Sequence, residues 1–188
     1  MDHKAALEVI ALHRGERIVI STMGSVGVWS EVSQSPLDFA YLPSSMGQGP
    51  ALAMGLALAH PQRGVIALVG DGSLLMNLGV LVTIAEQKPR MYLVLIDNGA
   101  YEITGGQPVP GAGVVDYTMI AKGAGIARTY RFDTLEKWMA GSQEALHGLG
   151  PVFIWLKVDY RPGQGTPRAP FPMDEQIRRL RVALGISQ

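Results

Sequence analysis

The chain has 188 residues, no cysteine, 47% hydrophobic and 17% charged residues, and 16 basic side chains set against 16 acidic ones. That length predicts one domain with a full core, and the apolar fraction excludes a disordered chain. Charge neutrality removes the footprint of a nucleic-acid or polybasic membrane-surface binder, and the lack of cysteine excludes disulfides, thiolate metal sites and a Cys nucleophile.

The N-terminus, Met1-Asp2-His3-Lys4, is polar, and the longest mostly apolar run, residues 50–59, is too short to span a bilayer. A cytoplasmic location is therefore expected. An amphipathic helix over 4–13 precedes a β-branched strand at 17–22, and a short extended piece follows at 39–42. An Ala/Leu/Gly-rich helix at 48–60 is closed by Pro61. Next come a strand at 64–69, a helix over 74–87 ended by Lys88-Pro89, and a strand at 91–96. Beyond a Gly/Pro-rich loop at 99–113, the pattern predicts a helix at 117–124 and a short strand at 127–130. A helix at 134–147 and a last strand at 152–158 complete the set. Three strands are almost continuously apolar, as in a parallel sheet covered on both faces. The alternation predicts a doubly wound, mainly parallel α/β fold with helices on both faces.

Residues 1–160 form the expected domain, and residues 161–188 an arm and helix. The arm holds four prolines and two glycines in residues 161–172 and reads as extended rather than core. Its helix, over 174–184, places Ile177, Leu180 and Leu184 on one side, for packing on its own domain or docking on a partner.

The sharpest local feature is a buried strand that runs into Gly70-Asp71-Gly72-Ser73 and then a helix. Parallel sheets bind ligands at the carboxyl ends of their strands, and glycines there let backbone N–H groups approach an anion. Asp71 would repel a phosphate unless a divalent cation lay between them, and its hard oxygens suit Mg²⁺. One strand later, Asn98 supplies another hard oxygen. If the two strands are neighbours, Asp71 and Asn98 face one crevice. Gly-Asp-Gly taken alone reads more readily as a strand-terminal turn than as a binding motif. The first strand's Thr22-Met23-Gly24-Ser25-Val26-Gly27 lacks the dinucleotide fingerprint, and the chain has no P-loop.

Between Gly72 and Asp97 lie 24 residues. Gly-Asp-Gly, 24 residues and then Asp97-Asn98 resembles the thiamine diphosphate (TPP) signature, with Asp97 in place of the first of two asparagines. The resemblance spans roughly residues 15–160 and is to the diphosphate-binding domain of TPP-dependent 2-oxoacid decarboxylases. Ser44-Ser45-Met46-Gly47 and the segment from Asn98 to Pro108 are similar to the phosphonopyruvate and sulfopyruvate decarboxylases.

The resemblance implies roles. Asp71 and Asn98 would ligate Mg²⁺ by side chain and Ala100 by its carbonyl. Gly70, Gly72 and Ser73 would bind the diphosphate, with Thr22, Gly24 and Ser25 touching it from the first strand. Met46 would lie beneath the cofactor, and the Ser44 carbonyl would accept from its aminopyrimidine. Tyr101 and Glu102 would reach the cofactor or substrate, or else brace the loop, as would Gln107. Gln48 stands where phosphonopyruvate-type sequences often have His, which leaves the 2-oxoacid open. The family also needs a Glu from a pyrimidine-binding domain, for which no chain remains here, so a separate subunit is expected to supply it. The lack of cysteine argues against an iron–sulfur oxidoreductase. A carboligase of the acetolactate-synthase kind and a non-catalytic TPP-binding module stay open. His3, His13, His60 and His147 show no ligand spacing and read as surface residues, and Arg161 and Arg168 as solvated or anion-binding.

Overall fold

The computed structural model describes residues 1–162 and 167–186, so residues 163–166 of the Pro/Gly-rich arm lie outside the described residues. The elements run α1 (His3–His13), β1 (Ile18–Thr22), α2 (Gly24–Val32), β2 (Asp38–Tyr41), α3 (Gly49–Ala59) and β3 (Val65–Gly70). They continue through α4 (Asp71–Leu75), α5 (Val80–Gln87), β4 (Met91–Asp97), β5 (Ala100–Tyr101) and β6 (Gln107–Pro108). The chain ends with α6 (Tyr117–Gly123), β7 (Arg128–Phe132), α7 (Leu135–Leu146), β8 (Val152–Lys157) and α8 (Met173–Ala183). None of the described helices is long and apolar enough to cross a membrane.

Six strands form one sheet in the order β2-β1-β3-β4-β8-β7, and every pairing in it is parallel. The reason is legible in β1, β3, β4 and β8, whose Ile, Val and Leu residues are buried along almost their whole length. Strands buried on both faces need helices on both faces, and the chain supplies them. One core layer joins α3, α5 and α6 to the sheet through Ala53, Leu81 and Ala121. The opposite layer joins α1, α2 and α7 through Leu7, Trp29 and Trp138. The doubly wound fold is as expected.

Strand order reverses between β1 and β3: from β1 the chain proceeds outward to β2, and from β3 it proceeds the other way to β4. Open α/β sheets bind ligands outside the carboxyl ends of strands at such a switch point. The fold therefore directs attention to the loops after Thr22 and Gly70.

Four local features differ from the sequence reading. The helix α2 is absent from it, because Gly24 and Gly27 weaken helical propensity and only burial of Val26 and Trp29 stabilises the segment. The helix expected over 74–87 is two helices, with α4 starting at Asp71 and a turn spanning residues 76–79. The loop at 99–113 contains an antiparallel hairpin, β5 against β6. In α8 the buried side chains are Gln176 and Leu180, whereas Ile177 is 45% exposed. That face covers the sheet edge: the Ala40 N–H donates to Gln176 Oε1 at 2.8 Å, closing a backbone donor of the edge strand β2.

Candidate active site

At the switch point the ends of β1, β3 and β4 line a pocket that is open to solvent on one side. Two helices start in its wall, α2 at Gly24 and α4 at Asp71, and the first turn of a helix carries N–H groups that have no helical acceptor. Between β1 and α2, Met23 has φ +48°, a left-handed conformation unfavourable for Met, and it lines the pocket.

The α4 side is held by a small network. Asp71 Oδ1 accepts from the Gly72 N–H and Oδ2 from the Gly99 N–H, each at 2.9 Å. Asp71 is 2% exposed and, among the described residues, has no cationic partner. Burial, reinforced by the neighbouring Asp97 carboxylate, pushes its carboxyl from 3.8 up to about 7, against the lowering by the two backbone donors. Asp97 is differently placed: Oδ2 accepts from Trp155 Nε1 at 2.8 Å, and Lys157 Nζ lies at 3.1 Å. Asn98 Oδ1 accepts from the Ala100 N–H at 3.0 Å, and its Nδ2 donates to Glu102 Oε2 at 3.3 Å. Burial raises the Glu102 carboxyl above its ordinary range.

Two glycines are required by close approaches here. A Cβ on Gly72 would run into the Tyr101 ring, which therefore lies over the start of α4. Gly47 has φ +84°, and a Cβ there would meet Asn77 Cβ at 2.9 Å. The Gly47 N–H donates to Ser73 Oγ at 2.9 Å, and Asn77 Nδ2 donates to the Gly47 carbonyl at 3.1 Å. These contacts fasten the Met46–Gly47 turn to α4 and set Met46 in the pocket wall.

Most residues singled out in the sequence meet in this one pocket. Thr22, Gly24 and Ser25 line it from the β1 side, and Gly70, Asp71, Gly72 and Ser73 from β3. Met46, Asn98, Ala100, Tyr101 and Glu102 complete it. Ser44 does not line it; its hydroxyl lies 4.0 Å from Met23 Sδ. Gln107 sits exposed on β6. Arg161 does not reach the pocket but bonds the Asp2 carboxylate, and Arg168 is exposed. The reading of His3 as a surface residue is corrected: it is 8% exposed and lines the pocket, because α1 starts against α2. Nothing in its local sequence could have shown this, since the contact joins residues 22 apart. Asp97 was also more than a substituted signature residue, its setting being visible only once β4 and β8 are paired.

The donor set fits a magnesium–diphosphate group. A buried carboxylate with no cationic partner among the described residues, an amide-bearing Asn98 and the Ala100 backbone all line a pocket that also takes in the first residues of α2 and α4. Residues 22–156 match the family described as thiamine pyrophosphate enzyme, C-terminal TPP binding domain, and the chain belongs to this family. Within it the chain is related to decarboxylases. It is 36% identical to sulfopyruvate decarboxylase subunit beta of Methanothermobacter thermautotrophicus over 179 residues, 93% of this chain and 91% of that one. It is 32% identical to phosphonopyruvate decarboxylase of Streptomyces viridochromogenes over 182 residues, 95% of this chain but 45% of that one. A thiamin diphosphate-dependent enzyme from Mycobacterium smegmatis superposes with TM-score 0.73 at 26% identity, over 85% of this chain and 32% of that one. The benzoylformate decarboxylase of Polynucleobacter necessarius shares the fold, with TM-score 0.75 over 86% of this chain and 34% of that one. The chain thus spans under half the length of these longer relatives.

Proposed function

We propose that this chain is the TPP- and Mg²⁺-binding subunit of a cytoplasmic 2-oxoacid decarboxylase of the sulfopyruvate or phosphonopyruvate type. The observation that carries the reading is Asp71, a buried carboxylate with no cation beside it among the described residues, which lines one pocket with Asn98 and Ala100. Asp71 Oδ, Asn98 Oδ1 and the Ala100 carbonyl would hold Mg²⁺, and the N–H groups of Gly72 and Ser73 the diphosphate. Thr22 at the end of β1, with Gly24 and Ser25 in the first turn of α2, would close on the same group. When bound, TPP supplies the nucleophile and electron sink that loss of CO₂ from a 2-oxoacid requires. Met46 would support the cofactor from the wall, and Tyr101 and Ile103 would keep water from it. Glu102, half-buried and raised by burial, is suited to hold a proton at Oε1 while Asn98 engages Oε2.

A separate pyrimidine-binding subunit completes this reading. The beta subunit of M. thermautotrophicus is matched over 91% of its length, while the phosphonopyruvate decarboxylase has more than half its chain outside the match. By analogy with that relative, named a beta subunit, the activating Glu would come from a second polypeptide. Co-purification of the two chains, followed by CO₂ release assays with 3-sulfopyruvate and 3-phosphonopyruvate, tests the proposal. Mg²⁺-dependent turnover of one of them supports it; TPP binding without CO₂ release from any 2-oxoacid overturns the decarboxylase assignment.

A further inference from the structure

The first turn of α1 is fastened beside the pocket by contacts that the cofactor site itself does not require. Asp2 Oδ1 caps α1 by accepting from the Ala5 N–H at 2.8 Å, and Asp2 Oδ2 pairs with Arg161. The N-terminal ammonium donates to the Lys157 carbonyl at 3.1 Å, at the end of β8. This anchoring delivers His3 into the pocket wall, where its Nε2 lies 3.3 Å from Ser25 Oγ in the first turn of α2. Ser25 is 4% exposed, and it too lines the pocket.

A hydroxyl has one proton and can direct it to only one acceptor. If Ser25 spends that proton on the imidazole, it turns a lone pair toward the pocket, which repels an anion. If the imidazole donates instead, the Ser25 proton is left for the ligand. We propose that His3 is a positioning residue, whose Nε2–H donates to Ser25 Oγ so that the Ser25 hydroxyl donates to an anionic oxygen of the diphosphate. Burial keeps the ring neutral, lowering its titration from 6.5 to about 4, so a single ring proton is available and its placement is the decisive variable. The assignment rests on the diphosphate reading of the pocket and adds to it the residue that sets the direction of one hydrogen bond.

The test uses the chain co-purified with its partner subunit and measures TPP affinity in saturating Mg²⁺ by calorimetry. His3→Phe keeps an aromatic ring but cannot donate, and Ser25→Ala removes the hydroxyl. Each is expected to weaken binding about tenfold, the worth of one hydrogen bond to a charged group. The double variant is expected to be no weaker than Ser25→Ala alone, and His3→Gln, whose amide donates, to recover most of the loss. Nitrogen-15 NMR of the TPP-loaded wild type should show the proton of His3 on Nε2. Wild-type affinity in His3→Phe, additive losses in the double variant, or a proton on Nδ1 would overturn the role of His3. A wild-type complex that binds no TPP would instead overturn the diphosphate reading beneath it.

Discussion

Asp71 and Asp97 accept the same backbone hydrogen: the Gly99 N–H lies 2.9 Å from Asp71 Oδ2 and 3.1 Å from Asp97 Oδ1. Two buried carboxylates thus meet at one donor, but among the described residues only Asp97 has a cation, Lys157, with a further hydrogen bond from Trp155 Nε1. The unpaired one faces the pocket. Under the proposed function this asymmetry has a use, since a divalent ion held at Asp71 would offset both its burial and its neighbour's charge.

The pH dependence follows from the sign of the Asp71 shift. Its folded carboxyl titrates near 7, above the ordinary 3.8, so its contribution to stability is complete below 3.8 and is lost as pH rises through about 7. Mg²⁺ needs the ionised form. Below pH 7 each unit of acidification is therefore expected to weaken Mg²⁺ binding roughly tenfold. Thermal unfolding with and without Mg²⁺ and TPP, from pH 5 to 8, should show stabilisation that grows with pH and levels off above about 7.

Asp71→Asn separates function from stability. The variant is expected to lose Mg²⁺-dependent TPP binding by about 100-fold or more. Its metal-free form should unfold at the same or higher denaturant, with a gain of about 1 kcal/mol, because a buried charge has been removed. Calorimetry and urea titration of the same preparations provide both readouts.

Lys157→Met leaves Asp97 its Trp155 and Gly99 donors but no cation. Lys157 is partly exposed, so the expected cost is about 1–2 kcal/mol rather than the larger penalty of a fully buried pair. Urea unfolding gives that number.

Gly72→Ala places a methyl where the Tyr101 ring lies. Overpacking of this kind costs about 1–3 kcal/mol. The loss should be largely relieved in a Tyr101→Ala background, and a double-mutant cycle on unfolding free energy measures that coupling.

At the other end of the sheet, Gln176→Ala removes the acceptor of the Ala40 N–H. A buried donor without a partner costs about 1–3 kcal/mol, so the variant should unfold at correspondingly lower urea concentration.

The parallel sheet was legible because β3, β4 and β8 carry unbroken apolar runs, and the pocket because Gly70-Asp71-Gly72 and Asn98 end two of its strands. What escaped has a common physical origin. The helix α2 owes its existence to tertiary burial of Val26 and Trp29 against weak local propensity, so no periodic signal marks it. The break between α4 and α5 lies inside a stretch whose apolar residues fit one helix as well as two. His3 and Asp97 acquire their surroundings from elements far along the chain, Ser25 on α2 and Trp155 on β8. The buried face of α8 turned on Gln176, a polar residue chosen by the edge strand it closes, which a hydrophobic pattern does not reveal.

In the proposed site, Asp71 would hold the cation through which the pocket takes TPP. The most direct test is calorimetric titration of TPP into the two-chain complex, with Mg²⁺ and with chelator, for wild type and Asp71→Ala. Saturable one-to-one binding that requires Mg²⁺ and disappears in the variant is the expected result. TPP affinity that is the same in chelator, or unchanged in Asp71→Ala, would contradict it.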